Sequence, residues 1–222
     1  MLQFAERAAG YLARYHRAKL IGAHHIPDGP VMLVGNHGVY GYDTPVFFWL
    51  LRKHTGRYPI GLADKAFFRS PVTRELMPLL GGVEGTPKNA EEALARGELV
   101  VCYPGGAREV FKAPEAKYAL RWERALGFVR CAARTGVPVI PFAGFGPDHA
   151  FVFGEPRMKL SGGFERYRAP LAVPLPLPFQ FRFHLGEALA PPKRTASHAE
   201  LISFRNDVAN RVRSLLVRAC HA

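Results

Sequence analysis

Short apolar runs alternate with segments of helical periodicity along most of the chain. Five runs rich in β-branched and aromatic residues are predicted to be strands: Val31 to Val34, Ile60 to Ala63, Leu99 to Tyr103, Val137 to Phe142 and Phe179 to Leu185. Helical segments lie between them. This alternation predicts an α/β fold, in which a single domain is built on a central, mostly parallel sheet flanked by helices.

Three of the predicted helices carry end signals. One helix is predicted to begin after Thr86, at Pro87, and to end at Gly97. A second is predicted over 118–135 from its apolar spacing, with Gly136 at its end. The last helix is preceded by a capping box of Ser197 and Glu200. The proline-rich stretch 170–178 is expected to be a surface connection, because too little chain follows it to form a second core.

Residues 1–20 are predicted to form an amphipathic helix ahead of the main domain, which is expected over 21–222. One helical stripe holds Phe4, Ala8, Tyr11, Leu12 and Tyr15, with Arg7, Arg14 and Arg17 elsewhere on the wheel. Two interpretations stay open. The helix either packs on its own domain or lies in a lipid interface as a basic amphipathic helix.

Composition narrows the class of protein. A length of 222 residues with 48% hydrophobic and 22% charged residues is typical of one folded globular domain. The net charge of +12 makes nucleic acid, anionic lipid or a phosphate-bearing substrate the natural partners. No nucleic acid is expected as a partner, because the sequence has no recognised binding signature of that kind.

Membrane-spanning, secretory and metal-binding patterns are not found in the sequence. The longest stretch without Asp, Glu, Lys or Arg is the fourteen residues from Gly29 to Tyr42, which is too short to cross a bilayer. The start does not have the pattern of a secretory signal. The three cysteines lack Cys-x-x-Cys spacing, which favours reduced thiols and no metal site. We therefore expect a peripheral protein on the cytoplasmic face of a membrane.

The first candidate site follows the apolar run that ends at Val34. Asn36 and His37 come directly after it, and Asp43 follows in a His-x5-Asp pattern. A histidine at the carboxyl end of a parallel strand can act as a general base if a carboxylate orients its ring. Six positions on a regular helix would turn Asp43 away from His37, so Gly38 and Gly41 must allow an irregular turn.

A second candidate site follows the apolar run that ends at Tyr103. Gly105 and Gly106 expose backbone N–H groups there, and Arg108 can bind an anion. The alternative interpretation is that Arg108 and Glu109 only pair with each other.

In this order and spacing, the motifs resemble those of the glycerolipid acyltransferase superfamily. The four matching blocks are Asn36-His37 with Asp43, Asp64 to Arg69 leading to Gly81 to Gly85, Tyr103 to Arg108, and Val137 to Pro141. The resemblance implies a glycerol-3-phosphate acyltransferase-like fold, with His37 deprotonating an acceptor hydroxyl and Asp43 orienting His37. It also implies transfer without a covalent acyl-enzyme or a cofactor. The residues expected to bind substrate are Asn36, Lys65, Arg69, Gly105, Gly106, Arg108 and Glu109.

Two departures refine this resemblance. Five residues separate His37 from Asp43 where four are usual in the superfamily, and Gly105 stands where Glu is usual. Both departures are similar to the branch that contains neutral-lipid and phytyl-ester synthases. They favour a neutral glyceride or a long-chain alcohol as the lipid acceptor. The acyl thioester donor, acyl-CoA or acyl-carrier protein, carries phosphates that Lys65, Arg69 or Arg108 would meet.

Two other functions remain as alternatives. One is lysophosphatidic acid acylation in phospholipid synthesis. The other is a non-catalytic protein that binds an anionic membrane surface through the same scaffold. A serine hydrolase is excluded, because no serine of the chain lies in a Gly-x-Ser-x-Gly motif.

Overall fold

The structure, a computed structural model, describes residues 2–162, 165–172 and 176–221. Its helices are α1 (Leu2–Tyr15), α2 (Asp43–Thr55), α3 (Pro71–Leu79), α4 (Pro87–Ala95), α5 (Ala107–Val110), α6 (Gly127–Thr135) and α7 (His198–His221). Its strands are β1 (Lys19–Ile21), β2 (Val31–Gly35), β3 (Pro59–Ala63), β4 (Gly82–Glu84), β5 (Leu99–Cys102), β6 (Val139–Phe145), β7 (Phe153–Gly162), β8 (Glu165–Ala172) and β9 (Arg182–Leu185). Among the described helices, none combines the length and apolar character needed to cross a membrane.

Seven of the described strands form one sheet in the order β1-β9-β6-β2-β5-β3-β4. Strand β9 runs antiparallel to β6, and every other neighbouring pair in this sheet is parallel. The predicted α/β fold with a mostly parallel sheet is therefore confirmed. All five predicted strands are present, and the sequence missed the short edge strands β1 and β4.

Strand β2 runs through the middle of the sheet, and all of its residues are buried. Its alternate side chains enter two cores, with Met32 and Val34 on one face and Val31 and Leu33 on the other. Helices α4, α6 and α7 cover the first face, whereas α2 and part of α1 cover the second. Burial of each such side chain stabilises the fold by about 1.5–3 kcal/mol. This double cover makes β2 a rigid support for whatever follows its carboxyl end.

The helix predicted over 118–135 is wrong in its first half, because α6 begins only at Gly127. Tyr118 has a φ of 60°, in the left-handed region, which a continuous helix does not allow. The backbone N–H of Arg121 and the indole N–H of Trp122 both donate to the Glu109 carboxylate. A tertiary contact therefore replaces the helical hydrogen bonding that the apolar spacing suggested.

The first helix ends at Tyr15, earlier than predicted. Arg17 follows with a φ of 45°, and the chain then turns into β1, which pairs with β9. The boundary expected after residue 20 therefore falls inside a strand of the main sheet. This pairing ties the N-terminal segment to the domain that follows it.

Helix α1 buries its small residues and exposes its large aromatic ones. Ala9, Gly10 and Ala13 are buried, and a Cβ at Gly10 would lie 3.0 Å from Nε1 of the α2 residue Trp49. On the opposite side Phe4 is 76% exposed and Tyr11 67% exposed. The predicted aromatic stripe therefore faces solvent, while the helix packs on its own domain through a different face.

Strands β7 and β8 form an antiparallel hairpin outside the main sheet, which the sequence did not predict. The surface connection expected over 170–178 overlaps this hairpin. Residues 170–172 belong to β8, and residues 173–175 lie outside the described part of the chain. The expectation was therefore wrong for the first three of these residues.

Candidate active site

His37 and Asp43 meet at the carboxyl end of β2. The His37 Nδ1 atom lies 3.1 Å from Asp43 Oδ1, within hydrogen-bond distance. The His37 side chain is 14% exposed and that of Asp43 is 1% exposed. A solvent-reachable imidazole is thus held by a buried carboxylate, as the sequence required for a general base.

An irregular turn brings the two residues together. Tyr40 has a φ of 59° and Gly41 a φ of 68°, so the chain passes through the left-handed region twice before α2 begins at Asp43. Gly38 is equally constrained, because a Cβ there would lie 2.7 Å from Pro147 Cβ and 2.9 Å from Asp43 Oδ1. The predicted role of the glycines in this turn agrees with the geometry.

The environment of Asp43 favours the ionised carboxylate. Burial by itself raises the pKa of Asp43, but the charge of His37, hydrogen bonds from His37 and Gly38, and the charge of Lys112 together lower it below its ordinary value. An ionised carboxylate only accepts hydrogen bonds, so Nδ1 of His37 carries the proton of their shared bond. The lone pair of the neutral imidazole then lies on Nε2.

Tyr103 packs flat on His37, a contact that the sequence did not predict. The two ring centroids are 3.8 Å apart and the planes differ by 11°. Burial raises the pKa of Tyr103 well above its usual range, so its ring stays neutral. The stacked face of an aromatic ring attracts a cation, which favours the imidazolium that forms when His37 takes up a proton.

Glu109 lies behind His37 and is fully buried. Its Oε2 accepts a 2.8 Å hydrogen bond from the backbone N–H of His37, and its Oε1 accepts from the N–H groups of Arg121 and Trp122. Burial raises the pKa of Glu109, and these donors and the charges of Lys112 and His37 oppose the rise. The expected contact of Glu109 with substrate does not fit, because both oxygens are engaged inside the protein.

The same carboxylate explains the unusual glycine at position 105. A Cβ on Gly105 would lie 2.2 Å from Cδ of Glu109, closer than any real contact. Gly105 itself is buried, which leaves no open surface for a substrate at this position. Gly105 is thus required by the packing of Glu109.

Asn36 is also a structural residue. It is 1% exposed, and its carboxamide exchanges two hydrogen bonds with the backbone of Gly144, at 3.0 and 2.9 Å. These bonds join the end of β2 to β6. The expected contact of Asn36 with substrate therefore does not fit either.

The remaining predicted substrate residues lie at the carboxyl ends of neighbouring strands. Lys65 follows β3 in a short 3-10 turn, exposed Arg69 ends that turn, and Gly106 and Arg108 follow β5. Strands β3, β5 and β2 are parallel, so their carboxyl ends share one edge of the sheet with His37. Contact of these residues with a substrate stays a prediction.

Two buried charges that the sequence analysis missed complete the surroundings of His37. The Lys112 ammonium lies 2.7 Å from the His37 carbonyl oxygen and 2.7 Å from Asp148 Oδ2. Asp148 accepts further hydrogen bonds from the N–H groups of Val39 and Tyr118. No local sequence signal identifies these residues, since Lys112 is 75 positions from His37.

The cysteines Cys102 and Cys131 are not activated as nucleophiles. Burial raises the pKa of Cys102 to about 12 and that of Cys131 to about 11, so both thiols are protonated and poorly nucleophilic at neutral pH. Over the described residues, no group of three or more His, Cys, Asp or Glu side chains is arranged to hold a metal ion. The site offers a base and its orienting carboxylate.

Comparison with known proteins relates this geometry to one family. The family model described as Acyltransferase matches residues 17–144, more than half of the chain. A mouse protein named "DGAT1/2-independent enzyme synthesizing storage lipids" is 27% identical over 227 residues, covering 96% of this chain and 68% of that protein. The chicken protein of the same name is 33% identical over 127 residues, covering 57% of this chain and 38% of that protein.

Two further similarities extend the comparison. Phytyl ester synthase 2 of Arabidopsis thaliana is 30% identical over 128 residues, which cover 54% of this chain and 18% of that protein. The chain thus spans well under half of the chicken and plant relatives. The crystal structure of PlsC, the lysophosphatidic acid acyltransferase of Thermotoga maritima, superposes with a TM-score of 0.62 and 18% identity. That superposition covers 98% of this chain and 78% of PlsC.

The strand order, the pairing of His37 with Asp43 and the family match over 17–144 agree with one another. The PlsC superposition shows the same fold. The chain belongs to the Acyltransferase family, within the glycerolipid acyltransferase superfamily.

Proposed function

We propose that this protein transfers a fatty acyl group from a thioester donor to the hydroxyl of a lipid acceptor, with His37 as general base. The observation that carries the proposal is the 3.1 Å contact between His37 Nδ1 and Asp43 Oδ1 in a partly exposed site. This contact also favours an enzyme over a non-catalytic membrane-binding protein on the same scaffold, which would not need an oriented imidazole.

In the proposed reaction, His37 Nε2 removes the proton of the acceptor hydroxyl while the oxygen attacks the thioester carbonyl carbon. This attack forms the C–O bond of the new ester, and collapse of the tetrahedral intermediate restores the C=O bond and breaks the C–S bond. The leaving thiolate takes the proton from the imidazolium, which returns His37 to its neutral form. Asp43 and the stacked Tyr103 ring stabilise the transient positive charge on His37.

We favour a neutral glyceride or a long-chain alcohol as the acceptor. The five-residue spacing between His37 and Asp43 and the glycine at position 105 are both similar to the branch of neutral-lipid and phytyl-ester synthases. Relatives named for storage lipids and for phytyl esters support the same class of acceptor. Acylation of lysophosphatidic acid is the second candidate, because the chain superposes on PlsC, although 18% identity supports the fold alone.

The donor in this proposal is acyl-CoA or an acyl-carrier protein. Both carry phosphate groups, and Lys65, Arg69 and Arg108 lie on the edge of the sheet that holds His37. Guanidinium groups bind phosphate in a bidentate manner, which suits them to the carrier part of the donor. No resident cofactor takes part in this mechanism.

Peripheral attachment to an anionic membrane surface, on its cytoplasmic face, forms part of the proposal. The exposed stripe of Phe4, Tyr11 and Tyr15 lies on the same helix as Arg7 and Arg14. Aromatic side chains suit the headgroup region of a bilayer, and each nearby arginine adds up to about 1 kcal/mol toward anionic lipid. The net charge of +12 also favours attachment to an anionic surface.

The direct test is acyl transfer by the purified chain with a labelled acyl thioester and a panel of lipid acceptors. Replacing His37 by Ala should lower kcat by about 10² to 10⁴, because that range is the usual contribution of a general base. Asp43→Asn should lower it less, since the imidazole remains. The exposed His54→Ala serves as the matched control. Transfer by the His37→Ala protein at the parent rate would overturn the mechanism.

A further inference from the structure

Three buried charged residues hold the main chain of His37 rather than its ring. Glu109 receives the His37 N–H at 2.8 Å, and Lys112 donates to the His37 carbonyl oxygen at 2.7 Å. Asp148 pairs with Lys112 at 2.7 Å and receives the N–H of Val39, two residues beyond His37, at 3.0 Å. We call Glu109, Lys112 and Asp148 the His37 cradle.

Burial of the cradle is nearly complete. Glu109 and Asp148 are 0% exposed and Lys112 is 4% exposed. Buried polar side chains need partners inside the protein. Lys112 and Asp148 form an ion pair, and Glu109 accepts three hydrogen bonds from N–H groups. Three buried polar side chains on the two peptide groups that flank the His37 Cα atom are more than a simple loop closure requires, since backbone groups can satisfy an N–H and a carbonyl.

The cradle and the ring contacts constrain different parts of His37. Asp43 and Tyr103 fix the imidazole, whereas the cradle fixes the position from which the side chain extends. The segment between β2 and α2 is a short 3-10 turn with a left-handed residue, and its own backbone hydrogen bonds run from Gly41 to Gly38 and from Tyr42 to Val39, beyond the peptide N–H of His37. Small displacements of its backbone would therefore move Nε2 relative to a bound acceptor hydroxyl.

We propose that Glu109, Lys112 and Asp148 are positioning residues for catalysis, which hold the backbone of His37 so that Nε2 meets the acceptor hydroxyl in reactive geometry. This inference rests on the proposed role of His37 as general base and adds three residues that act through it. Because the cradle touches no substrate, its loss should lower kcat and leave KM for donor and acceptor nearly unchanged.

Glu109→Gln tests one side of the cradle. Two N–H donors face Oε1 and one faces Oε2, so the single oxygen of glutamine is expected on the side of Arg121 and Trp122. Its NH₂ group then opposes the His37 N–H. We expect kcat to fall about 10- to 100-fold, the scale that misplacement of a reacting group by about 1 Å produces.

Trp122→Phe is the matched control for Glu109→Gln. It removes a hydrogen bond to the same carboxylate, the 2.8 Å bond from Nε1, but leaves the bond between Glu109 and His37 in place. It should lower the melting temperature while kcat stays within about 3-fold of the parent. An equal loss of kcat in Trp122→Phe and Glu109→Gln would mean that Glu109 acts through general stability and would overturn its positioning role.

Lys112→Met and the double variant Lys112→Met/Asp148→Asn test the other side. The single variant leaves the Asp148 charge buried without its partner, so both stability and kcat should fall. The double variant removes both charges and should regain much of the lost stability. Its kcat should stay low, because the His37 carbonyl still lacks its donor. Recovery of kcat together with stability would overturn the proposal.

A second readout separates failure of this inference from failure of the proposed function. Amide hydrogen exchange at His37 should be slow in the parent and in Trp122→Phe, and faster by at least about 10-fold in Glu109→Gln. If the parent transfers acyl groups and Glu109→Gln keeps its kcat, the cradle proposal fails and the function stands. If the parent transfers none, the function fails, and unchanged exchange at His37 in Glu109→Gln would independently reject the cradle.

Discussion

At the scale of single residues, the two carboxylates near His37 fit only because glycines stand beside them. Glu109 fills the volume that a side chain at position 105 would need, and it uses that volume to reach the His37 N–H. Gly38 likewise leaves room for the Asp43 carboxylate. The departure from the superfamily pattern at Gly105 is therefore a consequence of how Glu109 is placed.

Gly105→Ala should damage the protein through this contact. The added Cβ would lie 2.2 Å from Glu109 Cδ, so the carboxylate must move away from His37. We expect a loss of about 1–3 kcal/mol in the free energy of unfolding and a clear fall in kcat. Thermal denaturation and initial-rate assays of the purified variant measure both quantities.

Gly127→Ala provides the control for that experiment. Gly127 begins α6, and a Cβ there would have no neighbour within 4 Å. Alanine should stabilise the helix by up to about 1 kcal/mol and leave activity unchanged. Equal stability and activity in Gly105→Ala and the parent would show that Glu109 tolerates displacement, contrary to the packing described above.

The part of the candidate site that is local in the sequence was predictable. His37 and Asp43 lie within one turn that two glycines make possible, so a local pattern identifies the pair. Lys112 and Asp148 reach His37 only through the folded sheet, and no spacing rule relates them to it. The predicted substrate contact of Glu109 does not fit, because its burial depends on segments that are distant in the sequence.

At the scale of elements, capping residues in the sequence predicted the starts of helices correctly where no tertiary contact competed for the backbone N–H groups. Thr86 accepts the Asn89 N–H at the start of α4, and Ser197 and Glu200 form their reciprocal bonds before α7. Between Tyr118 and Gly127, the N–H groups of Tyr118 and Arg121 donate to Asp148 and Glu109 instead, and the predicted helix does not form there. The pairing of β7 with β8 was not predicted, and the expected proline-rich connection over 170–178 overlaps the end of β8.

Helix α1 should be the membrane contact of the protein. Phe4→Ser/Tyr11→Ser removes two exposed aromatic rings without touching the buried face of the helix. We expect at least about 10-fold weaker binding to anionic vesicles, since one aromatic side chain already contributes about 1.5 kcal/mol or more. Cosedimentation with anionic and neutral vesicles, at low and high salt, measures the effect.

Val217→Ser is the control for the vesicle experiment, because Val217 is an apolar residue of α7 that is 59% exposed. It should bind vesicles like the parent. Parent protein should prefer anionic vesicles and should be released in part at high salt, where charges are screened. Equal binding to neutral and anionic vesicles would argue against this surface.

His16 joins α1 to the residue before Asp43. Its Nε2 lies 3.0 Å from the Tyr42 hydroxyl, and Nδ1 lies 2.9 Å from the Phe179 carbonyl. Burial lowers the pKa of His16 below 6.5, although the Phe179 carbonyl opposes this shift. Because the ring is buried, a positive charge on it would be poorly solvated, so the neutral ring is the form that the fold stabilises.

The stability of the protein should therefore fall on mild acidification. A group whose pKa is lowered by folding contributes its full stability above the unfolded value of about 6.5 and loses it as the pH falls through the folded value. Urea denaturation between pH 7.5 and 5 should give a shallower pH slope for His16→Gln than for the parent. The exposed Val217→Ser should keep the parent slope, because it neither adds nor removes a titratable group. A His16→Gln slope equal to the parent slope would contradict this prediction.

At the scale of the whole molecule, the family match and the fold leave the acceptor as the main open choice. We expect kcat/KM for a monoacylglycerol, a diacylglycerol or a long-chain alcohol to equal or exceed that for lysophosphatidic acid with the same acyl donor. A binding pocket for a neutral acceptor needs only hydrogen bonds to its hydroxyl and an apolar wall.

Competition assays with paired acceptors and one acyl thioester measure this ratio directly. A preference for lysophosphatidic acid by a factor of about 10 or more, equal to about 1.4 kcal/mol in the transition state, would reject the neutral acceptor. That result would leave the acyltransferase assignment of the family intact. It would also direct attention to Arg108 and Lys65 as binding groups for the acceptor phosphate.

The pairing of β1 with β9 has a consequence for synthesis of the chain. Residues 19–21 pair with residues 182–184, and Tyr15 and His16 bond to Pro176 and Phe179, more than 160 positions away. A ribosome adds about 5–20 residues per second, so β1 waits on the order of ten seconds for β9. Once β6 has been made, its edge stays unpaired until β9 follows, and the most distant contacts of the sheet are the last to form.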